Sequence, residues 1–152
     1  MSEGESSTSP APLALVACVA RKVGQSSPAK DLYDSDWFHK ARRFVEARAW
    51  PWRILSAKHG LLDPNEVIAP YEVSLLHMAK AARRVWAESV LVALDELVVR
   101  HRAVVVLAGT RYREHLVPAL ETRGVHVEVP LAGMGIGKQL AWLKAHANAP
   151  TA

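Results

Sequence analysis

The chain of 152 residues has a single cysteine, Cys18. That excludes an internal disulfide and favours a reducing compartment. Long apolar runs are missing too: none approaches the roughly 20 residues that cross a bilayer, so no membrane association is expected. Met1–Pro12 is rich in Ser, Glu and Pro, with no basic segment ahead of an apolar run. A secretory signal of the usual form is therefore excluded, and a cytoplasmic location is expected. Metal-ligand spacing is absent: the seven histidines form no His-Glu-x-x-His pattern and there is no cysteine pair. Neither a metal nor a cofactor is implied. Excess charge is scarce as well, +4 from 19 Lys+Arg against 15 Asp+Glu. That balance permits a nucleic-acid or phosphorylated ligand without demanding one.

What is present is an apolar fraction of 50% and a charged fraction of 22%, ordinary for one soluble domain. Residues 1–12 are expected to be disordered, being too polar to bury a core, and 13–148 to form a single α/β domain. Leu13–Val19 and Ala103–Ala108 are continuous apolar runs, the pattern of strands buried on both faces. Trp52–Ala57 reads as another strand. Val125–Val129 reads as a shorter one, at an edge because His126 and Glu128 alternate with valines. Helices are expected over about 36–49, capped by Asp34 or Ser35 and stopped by Pro51, then over 74–100, 111–123 and 136–146. The long 74–100 segment is either one helix or two with a break. Its expected buried face is Leu75, Met78, Ala82, Val85, Trp86, Ser89, Val90, Ala93, Leu94 and Leu97. Gly124 ends the third helix in the left-handed manner.

Four strand-then-helix units imply a mainly parallel sheet with helices on both faces, a Rossmann-like domain. Its polar loops then meet at one edge, gathering Lys22, Tyr33, Lys58, His59, Tyr71, Gly109, Tyr112 and the Gly133–Gly137 turn. The polar stretch from Arg21 to Lys30 is too long for a tight turn and reads as a functional loop or lid.

The organising stretch is Arg53–Pro64, where an apolar strand ends abruptly in Ser56, Lys58, His59 and Gly60, followed by a loop to Pro70-Tyr71. Strand ends of this kind carry ligand sites in open α/β sheets. Lys58 is a candidate anion-binding group and His59 a candidate acid/base; the plainer alternative is a capping histidine beside a solvated lysine. Cys18 at the end of an apolar strand reads as a small core residue rather than a nucleophile, and Lys22 as a phosphate or carboxylate clamp. Gly133-Met-Gly135-Ile-Gly137-Lys138-Gln139 fits neither a phosphate loop nor a dinucleotide fingerprint. It remains a turn presenting N–H groups at a helix start. Trp37, Trp86 and Trp142 fall on apolar helical faces and read as core, while Trp50 and Trp52 flank the turn at Pro51.

These motifs carry a resemblance. Ala17-Cys18-x-x-x-Lys22, the segment Pro28–Phe38 with Tyr33 and Ser35, and Leu55-Ser-Ala-Lys-His-Gly-Leu-Leu62-x-Pro64 with Pro70-Tyr71 resemble a family of small uncharacterised bacterial and phage domains. Gly109-x-x-Tyr112 and the glycines at 133, 135 and 137 complete the pattern. More distantly it is similar to the YaaA peroxide-stress proteins and to an accessory domain of archaeosine transglycosylase-type enzymes. The resemblance implies a nucleotide, nucleobase or nucleic-acid partner. The expected activity is cleavage or exchange of an N-glycosidic bond, with His59 holding or protonating the base. Lys58 and Lys22 would bind phosphate, and Tyr33, Tyr71 and Tyr112 would stack on or hydrogen-bond to base and sugar. Ser35, Ser56, Gly109, Gly133, Gly135 and Gly137 complete the expected ligand contacts. Asp31 and Glu114 are the candidate carboxylates for activating water. The alternative is a non-catalytic nucleotide- or nucleic-acid-binding module using the same edge. Oligomeric state is not legible in the sequence.

Overall fold

Leu13–Ala17 is the axis of the molecule, and all five of its side chains are buried, which is why the segment contains no polar residue. The structure is a computed structural model that describes residues 11–148, so the disorder expected of 1–12 lies, for 1–10, outside the described residues. Along the chain the strands and helices run β1 (Leu13–Ala17), β2 (Ser27–Pro28), α1 (Ala29–Leu32), α2 (Asp36–Ala47), β3 (Trp52–Ser56), β4 (Gly60–Leu62) and β5 (Val67–Ile68). A 3-10 turn (Leu75–His77) precedes α3 (Lys80–Arg100), β6 (Ala103–Leu107), α4 (Thr110–Thr122), β7 (His126–Glu128) and α5 (Ile136–Ala145). The main sheet has the order β4-β3-β1-β6-β7. The four expected strands are all present and mutually parallel, with Leu15 opposite Arg53 on one side and Val106 on the other. As expected, β7 lies at an edge, with His126 and Glu128 exposed.

The fifth strand is a departure from the expected loop after His59. Gly60–Leu62 turns back antiparallel on β3, pairing Ser56 with Gly60 and Ile54 with Leu62. Ala57, Lys58 and His59 form a three-residue hairpin turn closed by Gly60 at φ +72, a geometry that needs a left-handed residue in this place. Gly60→Ala should therefore cost about 1–2 kcal/mol through backbone conformation alone. The added Cβ would meet Ser89 and Val90 only at ordinary contact distance. Urea denaturation checks it; an unchanged midpoint would contradict the turn.

The 21–30 segment is also not a free lid. Ser27–Pro28 pairs with Val67–Ile68, Val23 N–H donates to Leu32 O at 2.9 Å, and Asp34 N–H donates to Arg21 O at 2.9 Å. Backbone hydrogen bonds tie it down at both ends.

Ser35 caps α2 by accepting from Phe38 N–H at 3.0 Å, and the helix buries Phe38, Ala41, Phe44 and Val45. Trp50 packs edge-on to Phe44 and Trp52 lies against Phe38, filling the helix-to-strand turn. Trp86 is buried, whereas Trp37 and Trp142 are only half-buried at the core margin. The 74–100 segment does break: Met78 and Ala79 are extended between the 3-10 turn and α3. The buried face of α3 is Arg83, Trp86, Ala87, Val90, Leu91, Leu94 and Val98, so Ala82, Val85, Ser89 and Ala93, expected inside, are outside. This helix is apolar on two opposite sides, and periodicity alone does not choose between them. Among the described residues no helix is long and apolar enough to cross a membrane.

Helices α2 and α5 pack together, as do α3 and α4. The β1-to-β3 and β3-to-β6 connections leave in opposite directions, and right-handed crossovers then put their helices on opposite faces.

Candidate ligand site at the carboxyl edge of the sheet

The strand order reverses between β1 and β6. From β1 the chain proceeds to the β3 side, and from β6 to the β7 side. The crevice outside such a pair of carboxyl ends is where open α/β sheets bind ligands. Here it holds a cavity of about 590 Å³. Its floor is Ala17–Ala20 after β1, and one wall is Gly109–Tyr112 at the start of α4. Trp37 of α2 and Ile136 and Gln139 of α5 form the other wall, with Ser74 and Leu76 at the rim. Trp37 Nε1 donates to Gln139 Oε1 at 2.8 Å, and Gln139 Nε2 donates to Met134 O at 2.9 Å, fixing the start of α5 against α2. Gly109 and Gly135 occupy the N-cap positions of α4 and α5, and neither helix has a side-chain cap. Two helix starts thus border one cavity, and both favour negative charge.

Cys18 lies in the floor. Its thiol accepts from Ala57 N–H at 3.4 Å and lies 3.3 Å from the Tyr112 hydroxyl. Tyr112 packs edge-on to Trp86, whose Nε1 donates to Ser56 O at 2.8 Å. Burial raises the Tyr112 pKa above that of a free phenol, so the hydroxyl stays protonated at neutral pH. Cys18 is 8% exposed and belongs to the core cluster. A thiol reagent should label it far more slowly in the native protein than in denaturant; immediate labelling of the folded chain would contradict this placement.

Beside the cavity is a second cluster organised on Tyr71. Its hydroxyl is 2.6 Å from that of Tyr33 and 2.8 Å from Ser56 Oγ, which also accepts from His59 N–H at 2.9 Å. The His59 ring meets Tyr71 edge-on, with centroids 5.3 Å apart. Lys22 Nζ lies 4.4 Å and Lys58 Nζ 5.9 Å from the same ring centroid. Lys22 also donates to Val19 O and Ala20 O, closing the exit of β1. Burial lowers the Lys22 pKa, an effect opposed by Cys18 and the Glu72 carboxylate. Burial pushes Tyr33 up to about 12 and Tyr71 higher still. A cleft of about 290 Å³ runs between Ala20, Lys22–Gly24 and Pro70–Glu72, and Ala20 lines both it and the larger cavity.

Lys22, Lys58, His59 and Tyr71 therefore come together, and Gly109 and Tyr112 share a cavity with the helix that follows the Gly133–Gly137 turn. Gly133 gives that turn its φ of +79, and Gly137 lies in the first turn of α5. The two groups are neighbours along Val19–Ala20 and not one pocket. Tyr33 and Ser56 are fully buried and leave no surface for the stacking and ligand contacts expected of them; their polar atoms are satisfied internally. Ser35 is a helix cap. Neither candidate carboxylate lines the cavity: Asp31 pairs with Arg42 at 2.8 Å, and Glu114 with the buried Arg83. The Arg83 hydrogen bond holds the Glu114 carboxyl below its ordinary range. Sequence reasoning missed Glu72, Leu76, Ile136 and Gln139, and read Trp37 as core. Ile136 and Gln139, inside the Gly133–Gln139 motif, carried a local signal; the rest reach the site through tertiary packing.

Residues 13–145 match a family of unknown function, DUF6884. The uncharacterized protein YfjM of Bacillus subtilis (strain 168) is 29% identical over 142 residues, spanning 84% of this chain and 89% of YfjM. No solved structure matches. The family match takes in every strand of the sheet, both clusters and the Cys18 floor, and on that ground the chain belongs to the DUF6884 family.

Proposed function

We propose that the protein binds a nucleotide-class ligand in the cavity between the carboxyl ends of β1 and β6. The observation that carries this reading is the position of that cavity at the strand-order reversal, bordered by two helix starts without side-chain caps. Phosphate faces those helix starts and Arg111, while the base lies against Trp37, Tyr112 and Ile136. The volume of about 590 Å³ is in the range that encloses a small ligand. Lys22, Lys58 and Arg111 form no ion pair among the described residues, so their charge is available to an anion. A Rossmann-like reading of the sheet, and the resemblance of Leu55–Pro64 with Pro70-Tyr71 to YaaA proteins, support the nucleotide class. Calorimetric titration with nucleoside monophosphates, nucleosides and free bases tests it. Monophosphates should bind and raise the melting temperature most; binding by none of the three would end the proposal.

A second reading, N-glycosidic cleavage or base exchange, is favoured by Glu72, a carboxylate lining the cleft beside Lys22 and Tyr71. It supplies the water-activating group for which Asp31 and Glu114 are badly placed, with His59 at the same ring to protonate the departing base. Base release from nucleotides followed by chromatography decides it. Activity lost in Glu72→Gln supports catalysis; absence of release alongside tight binding leaves the binding module.

A further inference from the structure

Helix α3 carries a second apolar face pointing away from the core. Val85, Val92 and Val99 are 65%, 74% and 73% exposed. Residues seven apart drift only about 20° around a helix, so the three valines form one nearly straight line. Ala82 and Ser89, both exposed, fill the intervening positions of a 3-4 spacing, with Glu96 as its one charged member. The buried residues Trp86, Val90 and Leu94 lie on the opposite side, so the valines contribute nothing to the core. From Ala82 to Val99 the stripe runs over about 26 Å of this 21-residue helix. Large apolar side chains lined up in solvent on one helix mark an interaction surface.

The charges flanking the line say what covers it. Lys80 and Arg84 lie in the first turns of α3, while Glu88, Asp95 and Glu96 lie further along. Side by side and parallel, two copies would set Arg84 against Arg84 and each acid against itself. An antiparallel pair centred between residues 90 and 91 does the reverse. It sets Arg84 level with the partner's Leu97, within one helical turn of the partner's Asp95 and the partner's Glu96, twice by symmetry, and Ala82 opposite the partner's Val99. Ser89 meets the partner's Val92, and Val85 rests on the methylenes of the partner's Glu96. We propose that the outer face of α3 is a self-association surface, on which a second copy of this chain docks antiparallel through Val85, Val92 and Val99. Such an interface is isologous and closes on itself, forming a dimer and not a fibre. The Asp95 carboxylate already accepts from Arg123 of its own chain at 3.2 Å, which holds it in place at the rim.

Sedimentation velocity of the full chain over a concentration series should show a reversible monomer–dimer equilibrium. Val92→Glu should raise its dissociation constant by at least about thirtyfold, the loss of one central contact. Because Val92 is exposed, the circular dichroism spectrum should not change, which separates loss of pairing from loss of folding. Arg84→Glu should weaken the dimer, and Arg84→Glu combined with Glu96→Arg should restore it. Orientation is read by thiol cross-linking, since Cys18 is buried. With a short bifunctional maleimide, Ser89→Cys should join two copies and Val99→Cys should not. A wild-type chain that stays monomeric at every concentration overturns the proposal. So does a dimer indifferent to Val92→Glu, or one that Val99→Cys cross-links.

Discussion

Replacing Tyr71 by phenylalanine should lower stability by about 1–3 kcal/mol at neutral pH, the scale of leaving buried polar partners unpaired. His59→Ala, on a side chain touching the same ring, should change it by no more than about 0.5 kcal/mol. The difference follows from what each group holds. The Tyr71 hydroxyl bridges the fully buried Tyr33 hydroxyl and Ser56 Oγ. Without it, the buried Tyr33 hydroxyl loses its 2.6 Å partner. The turn is held by Ser56 Oγ accepting from the backbone N–H of His59, so the imidazole is free of structural duty. The same network predicts an alkaline signature. Burial raises the pKa of Tyr33, Tyr71 and Tyr112 in the folded chain. The folded state therefore keeps protons that the unfolded state releases. Stability from this source is intact below about pH 10, the ordinary tyrosine value, and is lost as pH rises above it. Each tyrosine that ionises only in the unfolded chain steepens the loss by about 1.4 kcal/mol per pH unit. Urea denaturation between neutral pH and pH 11 should show this fall, and Tyr71→Phe should make it shallower by one tyrosine. A Tyr71→Phe protein as stable as wild type, with an unchanged alkaline slope, would show that the bridge is not formed.

Arg111→Glu should weaken a nucleoside monophosphate by at least about tenfold in low salt while leaving a neutral nucleoside nearly unaffected. Arg111 lines the large cavity in the first turn of α4, where its charge adds to that of the helix start. It is exposed and bonds to no carboxylate among the described residues, so reversal should not unfold the protein. The contrast should shrink as salt rises, because Arg111 is exposed and added ions weaken its attraction for the phosphate. Lys22→Ala is the informative companion. Its ammonium lies beside Tyr71 and Ala20 on the border between cleft and cavity. Phosphate at the helix starts predicts a larger effect from Arg111; phosphate over the Tyr71 cluster predicts the larger effect from Lys22. Equal loss of monophosphate and nucleoside in Arg111→Glu would mean that the variant damages the cavity and not an anion contact.

Strand identity, parallel direction and the edge position of β7 were legible in the sequence. A run such as Leu13–Val19 or Ala103–Ala108 has one low-energy use, burial on both faces, whatever surrounds it. The cap at Ser35 and the left-handed stop at Gly124 are likewise local, set by one or two residues and their own backbone. Lys58 and His59 were legible as belonging to a strand end, and that is where they lie. The hairpin that follows them was not. Gly60–Leu62 is too short to show a period, and it becomes a strand only because β3 offers it an unpaired edge. The phase of α3 was equally hidden: a helix apolar on both sides can bury either one, and the choice fell to Trp86, Val90 and Leu94 because β4 and α4 complement that side. Tyr33 and Ser56 looked like ligand residues because they are polar and lie near a strand end. Only the arrival of Tyr71, from a distant loop, turned them inward. The cavity walls follow the same rule. Cys18, Tyr112, Trp37 and Ile136 come from four separate stretches of chain, and what joins them is the reversal of strand order between β1 and β6, a property of the assembled sheet that no window of sequence contains.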